Sequence, residues 1–183
     1  MIPKIIHYCW FGKENKNSFP YLENWKNKLG KEYKFIKWNE DNFDINEFRF
    51  TKSMYQKEKY AFVSDLARLY ALYKQGGIYL DTDVELKRIP TEEELKNNFI
   101  LYYEGDNPKV YPICTGFMGF EKGSEVIKGF YEKVYKDKVN TPWQPNSFLL
   151  KNYLINNNSS LLDKIKLKDD DFFIHHYMGR WSF

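Results

Sequence analysis

The chain has 183 residues, 43% of them hydrophobic and 29% charged, with a formal net charge of +3. That length suits one domain spanning residues 1–183. Lysines scattered among acidic residues exclude a nucleic-acid-binding arm, no run nears the roughly 18 apolar residues of a membrane span, and Cys9 and Cys114 alone exclude a disulfide framework or a cysteine-rich zinc site.

The start, Met1-Ile2-Pro3-Lys4, is too polar for a secretory leader. The expectation is a cytoplasmic protein, with peripheral contact to the inner face of a membrane left open. Aromatic residues reach 19% of the chain. Most belong in a core, and some rings suit a groove for bases and sugars.

In chain order, Lys4 to Trp10 reads as a buried strand ended by Gly12. A helix follows from about Pro20 to Leu29, with Ser18 as its cap and Gly30 as its stop. Tyr33 to Trp38 is a second strand, and Asn39 to Asp44 is a polar turn region. The clearest helix runs from about Lys57 to Gln75, where Phe62, Leu66, Leu69 and Tyr73 recur at helical spacing before Gly76-Gly77. A strand is expected at Ile78 to Leu86, then a short helix opened by the capping box of Thr91 and Glu94. Strands at Phe99 to Glu104 and Pro112 to Phe120 precede helices at Ser124 to Asp137 and Asn146 to Ile155. Asn156 to Ser160 reads as a loop, and Asp171 to Tyr177 as a last strand. Strands alternating with helices predict an α/β domain with a mostly parallel sheet.

Chemistry concentrates in Gly76-Gly77-Ile78-Tyr79-Leu80-Asp81-Thr82-Asp83-Val84-Glu85. Strand alternation would place Tyr79, Asp81, Asp83 and Glu85 on one face. Two carboxylates there are costly unless paired or bound to a cation, and hard oxygen ligands suit Mg²⁺ or Mn²⁺ gripping phosphates. Upstream, Asp65 and Arg68 are helical neighbours. They read either as a surface ion pair or as a pair directed at sugar hydroxyls.

The runs Ile2 to Gly12, Trp38-Asn39-Glu40, Phe62 to Arg68 and Gly76 to Asp83 together resemble glycosyltransferase family 32, a family distantly similar to the glucosyltransferase domains of clostridial toxins. The resemblance implies a GT-A fold and a retaining, metal-dependent transfer. A hexose or N-acetylhexosamine would pass from a nucleotide-sugar, UDP-linked rather than GDP-linked by preference, to an oligosaccharide or lipid-linked glycan in surface polysaccharide synthesis. It implies that Trp10 stacks on the base, Tyr79 lines the nucleotide pocket, and Asp65 and Arg68 hold the donor sugar. Asp81 would reach the ribose and the metal shell, Asp83 would bind Mn²⁺ (or Mg²⁺) directly, and His175 would be the third metal ligand. Trp181 would cover the phosphates, with Arg180 where the family carries Ser. Glu104, Trp143 and Gln144 read as loop or strand-end residues that could also meet an acceptor. The competing readings are a nucleotide-sugar-binding module without turnover, and a metal-dependent phosphohydrolase using the same carboxylates.

Overall fold

A computed structural model describes residues 1–135 and 144–178. Its elements are β1 (Ile5–Cys9), α1 (Leu22–Leu29), β2 (Lys34–Trp38), α2 (Arg49–Gln56), α3 (Tyr60–Gln75), β3 (Gly77–Leu80), β4 (Val84–Leu86), α4 (Glu92–Leu95), β5 (Phe99–Ile100), β6 (Phe117–Phe120), α5 (Glu125–Tyr135), α6 (Asn146–Asn157) and β7 (Phe173–His175). The main sheet has the order β2-β1-β3-β6-β5. β1 is parallel to β2 and β3, while β6 is antiparallel to both β3 and β5. Four strands therefore run the same way and β6 runs against them. β4 and β7 form a separate two-stranded antiparallel ribbon.

Alternation along the strands gives the sheet two apolar faces. Tyr79, Met118 and Phe120 pack with α3, α5 and α6 through Leu66, Leu69, Phe130 and Leu150. Ile6, Ile78, Leu80 and Phe117 pack on the other face with Trp25 of α1, Leu95 of α4, and Val84, Leu86 and Phe173 of the ribbon. α3 buries eight of its 16 residues, Asp65 and Arg68 among them. Gly76 ends it at φ 66°, donating its N–H to Leu72 O. Gly77 lets β3 slide beside β1, since a Cβ there would stand 2.6 Å from Ile5 O.

Several local expectations change. Ile78 to Leu86 is not one strand. The chain turns between Asp81 and Val84, where Val84 N–H donates to Asp81 O at 2.9 Å. Ser18 does not cap α1. Its hydroxyl accepts from Asn15 N–H in the preceding loop, and α1 starts after Tyr21 without a side-chain cap. α2 was not expected, because its eight residues span little more than two turns and no side chain caps it. Phe99 to Glu104 keeps only two residues of regular strand before isolated bridges take over, and a short 3-10 turn replaces part of the 156–160 loop. The Thr91–Glu94 capping box forms as the sequence requires.

Candidate functional site

The site lies where β3 ends, at the carboxyl edge of the parallel strands, the place where α/β sheets commonly bind ligands. Asp81 is fixed there by its own N–H, which donates to Gly116 O at 2.7 Å. The turn carries Asp83 around, and the β4–β7 ribbon sets Val84 opposite His175. His175 Nε2 lies 3.2 Å from Asp83 Oδ1 and 3.8 Å from Asp81 Oδ2. Neighbouring His176 points elsewhere, to Glu85 Oε2 at 3.1 Å and stacked on Tyr21. Of the two histidines, His175 is the one that lies beside the acidic pair.

Each carboxylate has one oxygen held and the other turned inward. Asp81 Oδ1 accepts from Tyr79 OH at 2.7 Å and meets Arg68 Nη2 at 3.2 Å. Asp83 Oδ2 accepts from the Met178 amide at 2.7 Å. The remaining oxygens face His175.

Arg68 is the hub behind this pair. Its Nη2 also lies 3.2 Å from Asp65 Oδ1, and its Nη1 donates to Thr115 O at 2.6 Å. Its guanidinium sits over the Tyr79 ring, 4.6 Å from the centroid. Both Arg68 and Asp65 are buried, so the i, i+3 pair is not a surface ion pair. Burial works against the guanidinium's charge, and Asp81, Tyr79 and Asp65 more than offset this, holding it firmly protonated. Burial drives the Tyr79 phenol well above its usual range, so it remains a neutral donor to Asp81.

Trp10 follows β1 at the same edge of the sheet, partly exposed, its ring edge-on to Phe19. Glu40 supports this corner by accepting from Gly12 N–H at 2.7 Å and from Tyr55 OH at 2.9 Å. Trp143, Arg180 and Trp181 lie outside the described residues. Sequence reasoning passed over the Thr115 carbonyl, the Gly116 backbone and the Met178 amide, since main-chain groups leave no mark in residue type. It also passed over Tyr177, whose ring stacks on His175 with 4.1 Å between centroids.

The donor set fits a divalent cation. One ligand atom from each of Asp81, Asp83 and His175 lies within 4.8 Å of the others. Gly116 leaves the space, for a Cβ there would stand 2.8 Å from His175 Cε1 and 3.0 Å from Asp81 Oδ2. His175 Nδ1 is buried without a nitrogen or oxygen partner among the described residues. Burial disfavours the imidazolium, but without a cation Asp83, the Cys114 sulfur and Asp81 outweigh burial and raise the ring to about 10, so it carries a proton that a bound cation would displace. Two carboxylate oxygens and an imidazole are ligands that Mn²⁺ and Mg²⁺ accept.

Residues 16–101 match the family model described as "Glycosyltransferase sugar-binding region containing DXD motif". The match includes Asp81-Thr82-Asp83 and the Asp65–Arg68 pair; Trp10 and His175 lie outside it. Over 128 residues the chain is 30% identical to inositol phosphoceramide mannosyltransferase 3 of Schizosaccharomyces pombe. That alignment covers 67% of this chain but only 34% of the relative, so the chain spans about a third of the relative's length. Among solved structures, the PaToxG glycosyltransferase superposes with a TM-score of 0.57 at 15% identity, covering 89% of this chain and 72% of the other. A glycosyltransferase involved in glycosylation of the major capsid of PBCV-1 superposes with a TM-score of 0.52 at 18% identity, covering 96% and 94%. These structural likenesses establish the fold. The chain has a GT-A type of fold, and its residues 16–101 are similar to the glycosyltransferase sugar-binding regions that contain a DXD motif.

Proposed function

We propose that this protein is a metal-dependent, retaining glycosyltransferase. It moves a hexose or N-acetylhexosamine from a nucleotide-sugar, UDP-linked by preference, to a glycan acceptor in surface polysaccharide synthesis. The observation that carries the reading is the convergence of Asp81, Asp83 and His175 at the end of β3. Retention and the choice of donor rest on the family resemblance.

Asp81, Asp83 and His175 would hold Mn²⁺ or Mg²⁺, which would supply positive charge against a departing nucleoside diphosphate. Arg68 acts as a positioning residue: its fork fixes Asp81 and Asp65 together, and Tyr79 OH orients Asp81. Trp10 offers a partly exposed ring for the base. Asp65 and Arg68 set the sugar end of the donor site, as the family resemblance implies.

A thermal-shift screen of UDP- and GDP-sugars with and without Mn²⁺ tests this, because a ligand that binds only the folded state raises its stability. One donor that stabilises the protein only with the cation supports the proposal. No shift with any donor, with or without cation, contradicts it.

A further inference from the structure

A cavity of about 620 Å³ opens beside β5, walled by the start of α5 and the 3-10 turn Ser159–Lys164. Its size falls within the roughly 300–1,000 Å³ of small-molecule sites. It is not the donor site. β6 runs antiparallel to β3 and sets Phe120 opposite Gly77, so the turn after β6 lies where β3 begins, whereas Asp81 lies where β3 ends. A Cβ on Gly76, just before β3, would stand 2.5 Å from Lys122 N in that turn. The cavity, which Glu121 and Gly123 line, therefore lies at the far end of the sheet from the two aspartates.

The donors around this cavity lack acceptors. Ser124 stands immediately before the 11-residue helix α5, the position from which a serine hydroxyl ordinarily accepts from an N–H two or three residues on. Here it does not. Ser124 lines the cavity and is only 8% exposed, yet its hydroxyl has no hydrogen-bond partner among the described residues. The N–H groups of Glu125 and Val126, which also line the cavity, have none either. Such first-turn N–H groups, at the positive end of the helix dipole, favour an anion. Three lysines line the same space. Lys96 and Lys166 are tied to carboxylates, Glu93 at 3.0 Å and Glu94 at 2.9 Å, but Lys164 has no hydrogen bond or ion pair among the described residues. The two carboxylates on the wall have cations of their own: Glu121 meets the Met1 amino group at 3.4 Å, and Glu125 meets Lys128 at 3.9 Å. Buried Ile100 and half-buried Phe99, Val126 and Leu161 supply an apolar floor.

We propose that this cavity is a second binding site, separate from the donor site, for an organic phosphate: the phosphate sits at the start of α5 with Ser124 and Lys164, and the carbon part lies over Phe99, Val126 and Leu161. A phosphate monoester brings the acceptors that the hydroxyl, the ammonium and the two N–H groups lack. A soluble phosphate ester and a phospholipid headgroup share this chemistry. The inference stands apart from the transferase reading and does not depend on it.

The test is calorimetric titration of the full chain with glycerol 3-phosphate, in EDTA to keep cations from the aspartates, for wild type, Lys164→Ala, Ser124→Asp and Asp83→Asn. Lys164 is exposed, so its truncation leaves the fold intact. An aspartate at 124 caps a helix as well as serine does, while its charge repels a phosphate; matching thermal melts show that both variants fold. The expected result is saturable binding to wild type, at least tenfold weaker in Lys164→Ala and in Ser124→Asp, and within twofold of wild type in Asp83→Asn. Equal affinity in wild type, Lys164→Ala and Ser124→Asp overturns the site, and so does a loss confined to Asp83→Asn, which would put the phosphate among the aspartates. Flotation with phosphatidylcholine vesicles, with and without phosphatidic acid, separates the two sources. Binding to phosphatidic acid vesicles that Ser124→Asp abolishes supports a headgroup, and glycerol 3-phosphate binding without vesicle binding supports a soluble ester. A wild type that binds neither probe overturns the proposal.

Discussion

Arg68 decides the electrostatics of the site. Four acceptors surround it in a water-poor interior: Asp65, Asp81 and the carbonyls of Ser64 and Thr115. Replacing it by Met would leave carboxylates beside each other without their cation, a loss of about 3–5 kcal/mol for a broken buried pair. Arg68→Met is therefore expected to lower the urea midpoint strongly, and Asp65→Asn to do so less, since Asp81 still balances the guanidinium. The i, i+3 spacing of this pair was legible in the sequence; its burial was not, because it depends on distant segments that meet it, Tyr79 of β3, Thr115 before β6 and Asn146 of α6. Gly116 makes a second residue-scale prediction. Its backbone is not left-handed, so Gly116→Ala costs little conformationally, yet the new methyl meets His175 and Asp81. Mn²⁺ affinity measured by calorimetry should fall at least tenfold in Gly116→Ala, with the melting temperature little changed.

At the scale of elements, β1 and α1 each carry a buried polar group with a defined task. His7 on β1 accepts from Trp38 Nε1 at 3.0 Å through Nδ1 and donates from Nε2 to Gly76 O at 2.8 Å. Burial lowers its pKa from 6.5 to about 4, the Gly76 carbonyl opposing this only in part. The folded chain therefore binds fewer protons than the unfolded chain between these values. The resulting stability is complete above about pH 6.5 and is lost as the pH falls towards 4, by about 3 kcal/mol in all. Urea titrations of wild type and His7→Gln from pH 7.5 to 4 should show a shallower decline in the variant. A matching decline would place the titrating group elsewhere. On α1, Trp25 is fully buried and donates Nε1–H to Val84 O at 2.7 Å. Trp25→Phe leaves that carbonyl unpaired at a cost of about 1–3 kcal/mol, and it should loosen the turn that carries Asp83.

The alternation of strands and helices was readable because each apolar run has the period of its element. The continuous strand expected over Ile78 to Leu86 was not correct, since nothing in the residue types marks the turn at Thr82-Asp83. The apolar parity survives the turn, with Ile78, Leu80, Val84 and Leu86 all on one core. That is why a wrong local expectation still brought Asp81 and Asp83 together. α2 escaped notice because its one fully buried side chain is Thr51, which hydrogen-bonds Ile45 O and Phe48 O.

For the whole molecule, the site is an assembly of distant segments: α3 brings Asp65 and Arg68, the β3 turn brings the two aspartates, the approach to β6 brings Thr115 and Gly116, and β7 brings His175. Only the first two of these stood close enough in sequence to be read as a unit from residue spacing; His175 came from the family resemblance. What holds β7 in place is a cluster of aromatic rings. Phe172 is fully buried beside Tyr102 and Phe117, with Arg88 3.9 Å above its ring. Phe172→Ala should cost about 3–5 kcal/mol by cavity formation, and it should weaken cation binding as His175 loses its support, read in the same calorimetric titration. The central claim concerns the cation site itself, and the most direct measurement is calorimetric binding of the selected nucleotide-sugar with and without Mn²⁺ to wild type and Asp83→Asn. The account predicts Mn²⁺-dependent binding in the wild type and at least a tenfold loss in Asp83→Asn, with unchanged melting of the ligand-free protein. Equal, Mn²⁺-dependent affinity in both proteins would contradict it.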